Sequence, residues 1–306
     1  GSAGMEACFV NLIEPGDTVI VCQNGVFGGR MKENVTRIGA TPVMVMDDFG
    51  KTIDLTKVEA ALKANPGAKA LAFVHAETST GVVSDAQALC ALAHQHGALA
   101  IVDAVTSLGG IALYVDAWGA DAIYSGSQKC LSAPPGLSPL SFGERAVAAL
   151  KARKTPVQSW FLDLSLVMAY WQGEGARSYH HTAPINMLYA LHESLVMLQE
   201  EGLPESWARH RENHVRLRDG LQSLGLDLLV DERHRLPQLN AVRIPDGVED
   251  LPVRRRLLDE FNIEIGAGLG ALAGKIWRIG LMGAGSNPNS VDRVLVALGS
   301  VLGRRG

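Results

Sequence analysis

"YSGSQKC", Tyr124 to Cys130, ends an apolar run and continues in residues too small and polar to pack a core. It presents one lysine, Lys129, with no acidic neighbour in the segment, just before "LSAPPG". Most lysines are solvated surface charges. A lysine at the end of a buried strand asks for a partner elsewhere in the chain, and finding that partner decides how the fold is read.

Outward from this stretch, short apolar runs alternate with helical patterns. "TVIVC" (18–22), "TPVMVM" (41–46), "KALAFVH" (69–75), "ALAIVD" (98–103), "DAIYSG" (121–126) and "SPLSF" (138–142) read as strands. Between two of them lies "SDAQALCALAHQHG", a helix with Ser84 as its expected N-cap and Gly97 as its C-cap. Strands apolar throughout and separated by helices imply a mostly parallel sheet covered on both faces. In such sheets ligands gather at the carboxyl ends of the strands. His75, Asp103 and "SGSQK" all fall there. From about Ala183 the pattern changes to two long helices, near 185–201 and 204–224. Short strands "LDLLV", "NAVRI", "IEIGAG" and "IWRIG" follow, with a helix near 250–261 and a last one from about Ser290. The expected division is a large domain over 1–200 and a smaller C-terminal α/β domain over 201–306.

Asp103 closes a buried strand, and a carboxylate there needs a cationic partner. No basic residue is near it in sequence; Lys129 lies 26 residues on, room for a helix-containing crossover to the next parallel strand. An acid and a lysine facing one crevice are the two groups pyridoxal phosphate requires. The lysine forms the Schiff base, and the acid holds the pyridine nitrogen protonated so that the ring can accept electrons. The opening "GSAGMEA" runs into a helical pattern, and small residues at a helix N-terminus offer free N–H groups to a phosphate.

The 306 residues carry 28 basic and 32 acidic side chains and a net charge of −4, with no basic stripe that would suit nucleic acid or a membrane surface. The run Arg254 to Arg256 reads as a solvated helix face. The four cysteines form no CxxC pair, which points to reduced structural thiols and a cytoplasmic setting. No signal peptide or membrane-length apolar run is visible. Three other motifs carry little. "GALAGK" (270–275) has the wrong glycine spacing for a phosphate loop, and Ile276 stands where Ser or Thr belongs. His180 and His181 are adjacent, so their rings are expected to diverge rather than chelate zinc. Cys130 reads as a small buried thiol before a nucleophile.

Taken together, "YSGSQKCLSAPPGLSPLSF", "HAETSTGV", "VDAVTSLGG", "NGVFGGR", "YHHTAPI" and "GKIWRIGLMG" resemble the alanine–glyoxylate / serine–pyruvate aminotransferase family, class V aminotransferases of the type I pyridoxal-phosphate fold. The resemblance runs in order along nearly the whole chain. It implies that Lys129 is the Schiff-base lysine and Asp103 the partner of the pyridine nitrogen. Thr78 would bond the ring hydroxyl, Gln128 the phosphate, and Ser2 and Ala3 would belong to the phosphate loop. Phe27 would stack on the ring, where many relatives carry tryptophan. Tyr179 and Thr182 would reach the phosphate of a neighbouring subunit, implying a homodimer with shared sites. Arg278 would grip the substrate carboxylate with its two-pronged guanidinium.

The implied reaction moves an amino group from alanine or serine to glyoxylate or pyruvate by a ping-pong course. A near rival is ureidoglycine as donor. A cysteine desulfurase-like lyase would need a reactive cysteine in the small domain, and none follows Cys130. A cofactor-binding remnant is the non-enzyme rival. Members of the resembled family carry a leading segment with an arm, part of the substrate pocket and the strand before the phosphate loop, whereas this sequence opens inside that loop. Ordering an unsupported loop costs roughly 1–2 kcal/mol per residue. The expectation is therefore weak cofactor binding and low activity from these 306 residues alone.

Overall fold

The structure, a computed structural model, describes residues 1–172 and 179–304. Helix α1 (Ser2–Leu12) leads into β1 (Thr18–Gln23), α2 (Val26–Ile38), β2 (Thr41–Met46), α3 (Leu55–Ala64) and β3 (Ala70–Val74). A two-stranded ribbon, β4 (Ala76–Glu77) and β5 (Val82–Val83), precedes α4 (Ala86–Gln95) and β6 (Leu99–Asp103). Then come α5 (Val115–Trp118), β7 (Ala122–Tyr124), β8 (Leu140–Phe142), α6 (Glu144–Lys151) and α7 (Leu164–Gln172). The remainder is α8 (Ile185–Glu201), α9 (Leu203–Ser223), β9 (Leu239–Arg243), α10 (Asp250–Phe261), β10 (Gly266–Ala267), β11 (Ile276–Gly280) and α11 (Pro288–Leu302).

The larger sheet has the order β2-β1-β3-β6-β7-β8, parallel except for the last pair. Its central strands β3 and β6 are buried at every position, and apolar at all but the closing Asp103, because helices cover both faces. Met5, Phe9, Met31 and Ala146 of α1, α2 and α6 pack on one face, and Val58, Leu62, Leu89 and Ala93 of α3 and α4 on the other. Strand β2 adds on one side of β1 and β3 on the other. That reversal opens a crevice at the carboxyl ends of β1 and β3, the place where open α/β sheets bind ligands. The second sheet, β10-β11-β9, is antiparallel and packs its Trp277, Ile279 and Val242 against α9, α10 and α11.

Several local expectations need correction. Asp85, not Ser84, caps α4, its carboxylate accepting from the Ala88 amide. The Ser84 hydroxyl instead accepts from the Asn24 side chain and the Ile53 amide. His96 is the C-cap, and Gly97 follows it in the left-handed region at φ 73°. "LDLLV" makes only an isolated bridge at Leu228 to Val242, and "IEIGAG" yields the two residues of β10. In both stretches the apolar pattern is present, but too few ladder partners lie alongside.

Candidate active site

Lys129 and Asp103 line one cavity of about 170 Å³ at the carboxyl ends of the large sheet. The parallel register sets Asp103 opposite Tyr124, so the ends of β6 and β7 present their side chains together. The Tyr124 hydroxyl donates to Asp103 Oδ2 at 2.8 Å, and the Val105 amide donates to Oδ1 at 2.9 Å. Burial outweighs these bonds and pushes the Asp103 carboxyl up to about 6. The Lys129 ammonium is pulled below its ordinary value, chiefly by burial and then by the Arg278 charge, with Cys130 and Asp103 opposing. An amine easier to deprotonate than an ordinary lysine thus shares a cavity with a buried acid.

Phe27, Thr78, Gln128 and Ser2 line the same cavity. Phe27 arrives on the first turn of α2, just past β1, and Thr78 in the turn past β4. The Arg30 guanidinium lies over the Phe27 ring, 4.7 Å from its centre. Helix α1 begins at the cavity edge without a side-chain cap. It presses close to the floor: a Cβ on Gly4 would stand 2.9 Å from Tyr124 Cβ. Ala3 is exposed on α1 and is not part of the cavity wall.

Arg278 stands behind the wall on β11. Its Nε donates to the Ala267 carbonyl at 2.7 Å and one terminal nitrogen to the Thr78 carbonyl at 3.3 Å. Burial holds its guanidinium below the ordinary value, and Glu77 opposes that shift. Tyr179 and Thr182 are elsewhere. Tyr179 is 67% exposed, its hydroxyl 2.7 Å from that of Thr182, and neither lines this chain's cavity. The expected divergence of His180 and His181 is wrong: their Nδ1 atoms are 2.8 Å apart, because the segment is irregular and does not alternate its side chains. Among the described residues no group of His, Cys, Asp and Glu could hold a metal ion. Cys130 is buried, its thiol pushed up to about 12 by burial, which suits packing rather than attack.

Three residues escaped the sequence reading. Tyr124 opens the decisive stretch but looks like a strand end until the register with Asp103 is known. Arg30 needed the helical turn that brings it over Phe27. Glu77 is fully buried, its carboxyl pushed up to about 6 by burial against the bonds from Ser79. The only sequence signal was an acid just past an apolar strand.

A parallel-sheet α/β fold with lysine, acid and aromatic face in one crevice defines a class, the type I pyridoxal-phosphate enzymes. Comparison with known proteins narrows it. The family pattern described as aminotransferase class-V matches residues 1–282. An alanine–glyoxylate aminotransferase of Rattus norvegicus is 41% identical over 99% of this chain and 73% of its own length. An (S)-ureidoglycine–glyoxylate transaminase of Bacillus subtilis is 38% identical over 98% of this chain and 76% of its own. A crystal structure of an alanine–glyoxylate aminotransferase from Nostoc sp. superposes with a TM-score of 0.96 at 46% identity, covering 99% of this chain and 79% of that one. The chain belongs to the class V aminotransferases. That family implies pyridoxal phosphate, and the donor set here fits it. A buried carboxylate that accepts only neutral N–H and O–H bonds suits a protonated ring nitrogen, and an uncapped helix start suits a phosphate.

Proposed function

We propose that the chain is a pyridoxal-phosphate aminotransferase that moves the amino group of alanine or serine to glyoxylate or pyruvate. The observation that carries it is the presence of Lys129 and the buried Asp103 in the wall of one cavity. The named relatives support glyoxylate as acceptor. Pyridoxal phosphate, when bound, supplies an electrophilic carbon and a ring that takes up the electron pair left as the substrate's α-proton departs. Asp103 holds a proton at the ring nitrogen; Tyr124 and Val105 hold Asp103. Phe27 and Thr78 would hold the cofactor's ring, and Gln128 with Ser2 its phosphate. Arg278 keeps two neutral carbonyl contacts, so its guanidinium charge is not consumed by a protein carboxylate and remains to orient the substrate carboxylate. Lys129 Nζ, deprotonated more readily than usual, would be the amine that holds the cofactor and, once released, the base that carries the substrate's α-proton.

We read residues 1–200 as the cofactor-binding part and 201–306 as the smaller part. We also read the assembly as a homodimer in which Tyr179 and Thr182 cap a neighbour's phosphate. Support comes from α8, which buries no residue in this chain, and from exposed Trp160, Phe161, Trp171 and Tyr189 near it in sequence. Four free, buried cysteines suit a reducing, cytoplasmic setting. No described helix is long and apolar enough to cross a membrane.

The test is a half-reaction screen. Alanine, serine and ureidoglycine are each added to the yellow protein and the absorbance of the bound cofactor is followed. Alanine or serine should bleach it, and borohydride reduction beforehand should place the label on Lys129. A label on Lys154 or Lys275 would refute the site; bleaching by ureidoglycine alone would refute the donor.

A further inference from the structure

Glu77 is fully buried, yet the mechanism above gives it nothing to do. A buried carboxylate is costly, so its contacts matter. Oε1 accepts from the Ser79 amide at 2.9 Å and from the Ser79 hydroxyl at 2.6 Å. Oε2 accepts from the Phe27 amide at 3.2 Å. The Ser79 hydroxyl in turn accepts from the Val26 amide at 2.9 Å. These are the first two amides of α2, whose N-cap, Gly25, has no side chain to offer them. An acid 50 residues away in sequence therefore does the capping, where the helix dipole favours a negative charge.

Gly25 is shaped to the same purpose. A Cβ there would fall 2.3 Å from Glu77 Cγ and Cδ, so only glycine leaves the carboxylate its place. The two segments so joined carry Phe27 and Thr78, which reach the cavity from different strands. Thr78 is bracketed by the acid and its main donor, since Glu77 precedes it and Ser79 follows.

We propose that Glu77 is a positioning residue: its carboxylate ties the first turn of α2 to the Thr78 turn and thereby fixes Phe27 and Thr78 relative to one another around the cofactor ring. Its charge matters as well as its shape. A glutamine there brings an NH₂ group that cannot accept from an amide, so one side of the clamp opens whichever way the side chain is turned.

The inference rests on the pyridoxal-phosphate reading, and the experiment separates the two. Full-length parent, Glu77→Gln and Ser79→Ala proteins are stripped of cofactor and titrated with pyridoxal phosphate. Affinity, the induced circular dichroism of the bound cofactor and the Tm of the stripped protein are recorded. Glu77→Gln should weaken binding about tenfold, the scale of one hydrogen bond to a charged group, and should diminish the induced signal. Ser79→Ala should shift both in the same direction while leaving no unpaired acid, so it serves if Glu77→Gln does not fold. A third protein, Glu77→Ala with Gly25→Ala, should be more stable than Gly25→Ala alone, since the new methyl then meets no carboxylate. Lower Tm with unchanged affinity and unchanged induced signal would make Glu77 merely structural and overturn the proposal. A parent that takes up no pyridoxal phosphate would overturn the site reading itself, and this inference with it.

Discussion

Asp103 pays for its position. The residue is 3% exposed and its carboxylate accepts from the Tyr124 hydroxyl and the Val105 amide, and burial outweighs these bonds to raise its carboxyl to about 6 from an ordinary value near 4. The linkage has a definite sign. A carboxyl raised on folding contributes stability in full below about pH 4, and that contribution is lost as pH rises through about 6. Without cofactor, Asp103→Asn should therefore be more stable than the parent at pH 7.5, by on the order of 1–3 kcal/mol. The gap should narrow by pH 4.5. Asparagine keeps both contacts, accepting from Val105 and donating to the Tyr124 oxygen. The same variant should lose transamination by orders of magnitude, since it holds no negative charge at the ring nitrogen. Thermal melts at both pH values check the first claim and steady-state turnover the second; an equal Tm across the range, or near-normal turnover, would contradict the role.

At the scale of elements, the crevice depends on how closely α2 lies on β1. A Cβ on Gly28 would stand 2.4 Å from the Cys22 carbonyl oxygen and 2.7 Å from Gln23 Cα, and backbone atoms cannot step aside. The neighbouring Gly29 would meet only the end of the Gln23 side chain, 3.3 Å away. Two adjacent glycines in "NGVFGGR" should thus respond oppositely to alanine. Gly28→Ala should force α2 outward, lowering stability by about 2 kcal/mol or more and weakening cofactor binding through Phe27. Gly29→Ala should be neutral or stabilising by up to about 1 kcal/mol from helix propensity. Denaturant melts of both variants decide it, and equal losses would show that the close approach is not what selects glycine. Sequence alone marked this motif through family resemblance; it could not rank the two glycines, because only the helix-on-strand contact distinguishes them.

At the scale of the whole molecule, the exposed aromatic surface is the outstanding feature. Trp171 is 74% exposed, Tyr189 73% and Tyr179 67%. Large aromatic side chains gathered on one exposed region mark a surface suited to interaction. If a second copy does so and brings Tyr179 and Thr182 to this cavity, damage should complement across subunits. A Lys129→Ala protomer mixed with a Tyr179→Phe, Thr182→Ala protomer gives heterodimers with one doubly damaged site and one intact site. Equal mixing should restore activity to about a quarter of the parent's, since about half the dimers are mixed and each has one good site of two. Demonstrated heterodimers without recovered activity would count against shared sites.

The reach of the sequence follows from what each feature depends on. Strands apolar throughout and helices with a repeating apolar face are local patterns, so the parallel sheet, its crevice and the long helices 185–201 and 250–261 were legible at nearly their observed bounds. That Lys129 and Asp103 face one cavity was legible because the spacing suits one crossover; that the Asp103 carboxylate is held by Tyr124 and Val105 rather than by an ion pair with Lys129 was not. The tertiary structure alone decided that Tyr124 stands opposite Asp103, that Glu77 caps a helix begun 51 residues earlier at Val26, and that Arg278 donates to the Ala267 and Thr78 carbonyls. Each of these is a contact between segments distant along the chain, set by strand register and by the close approach of elements. Such contacts leave no periodic trace in the residues that make them.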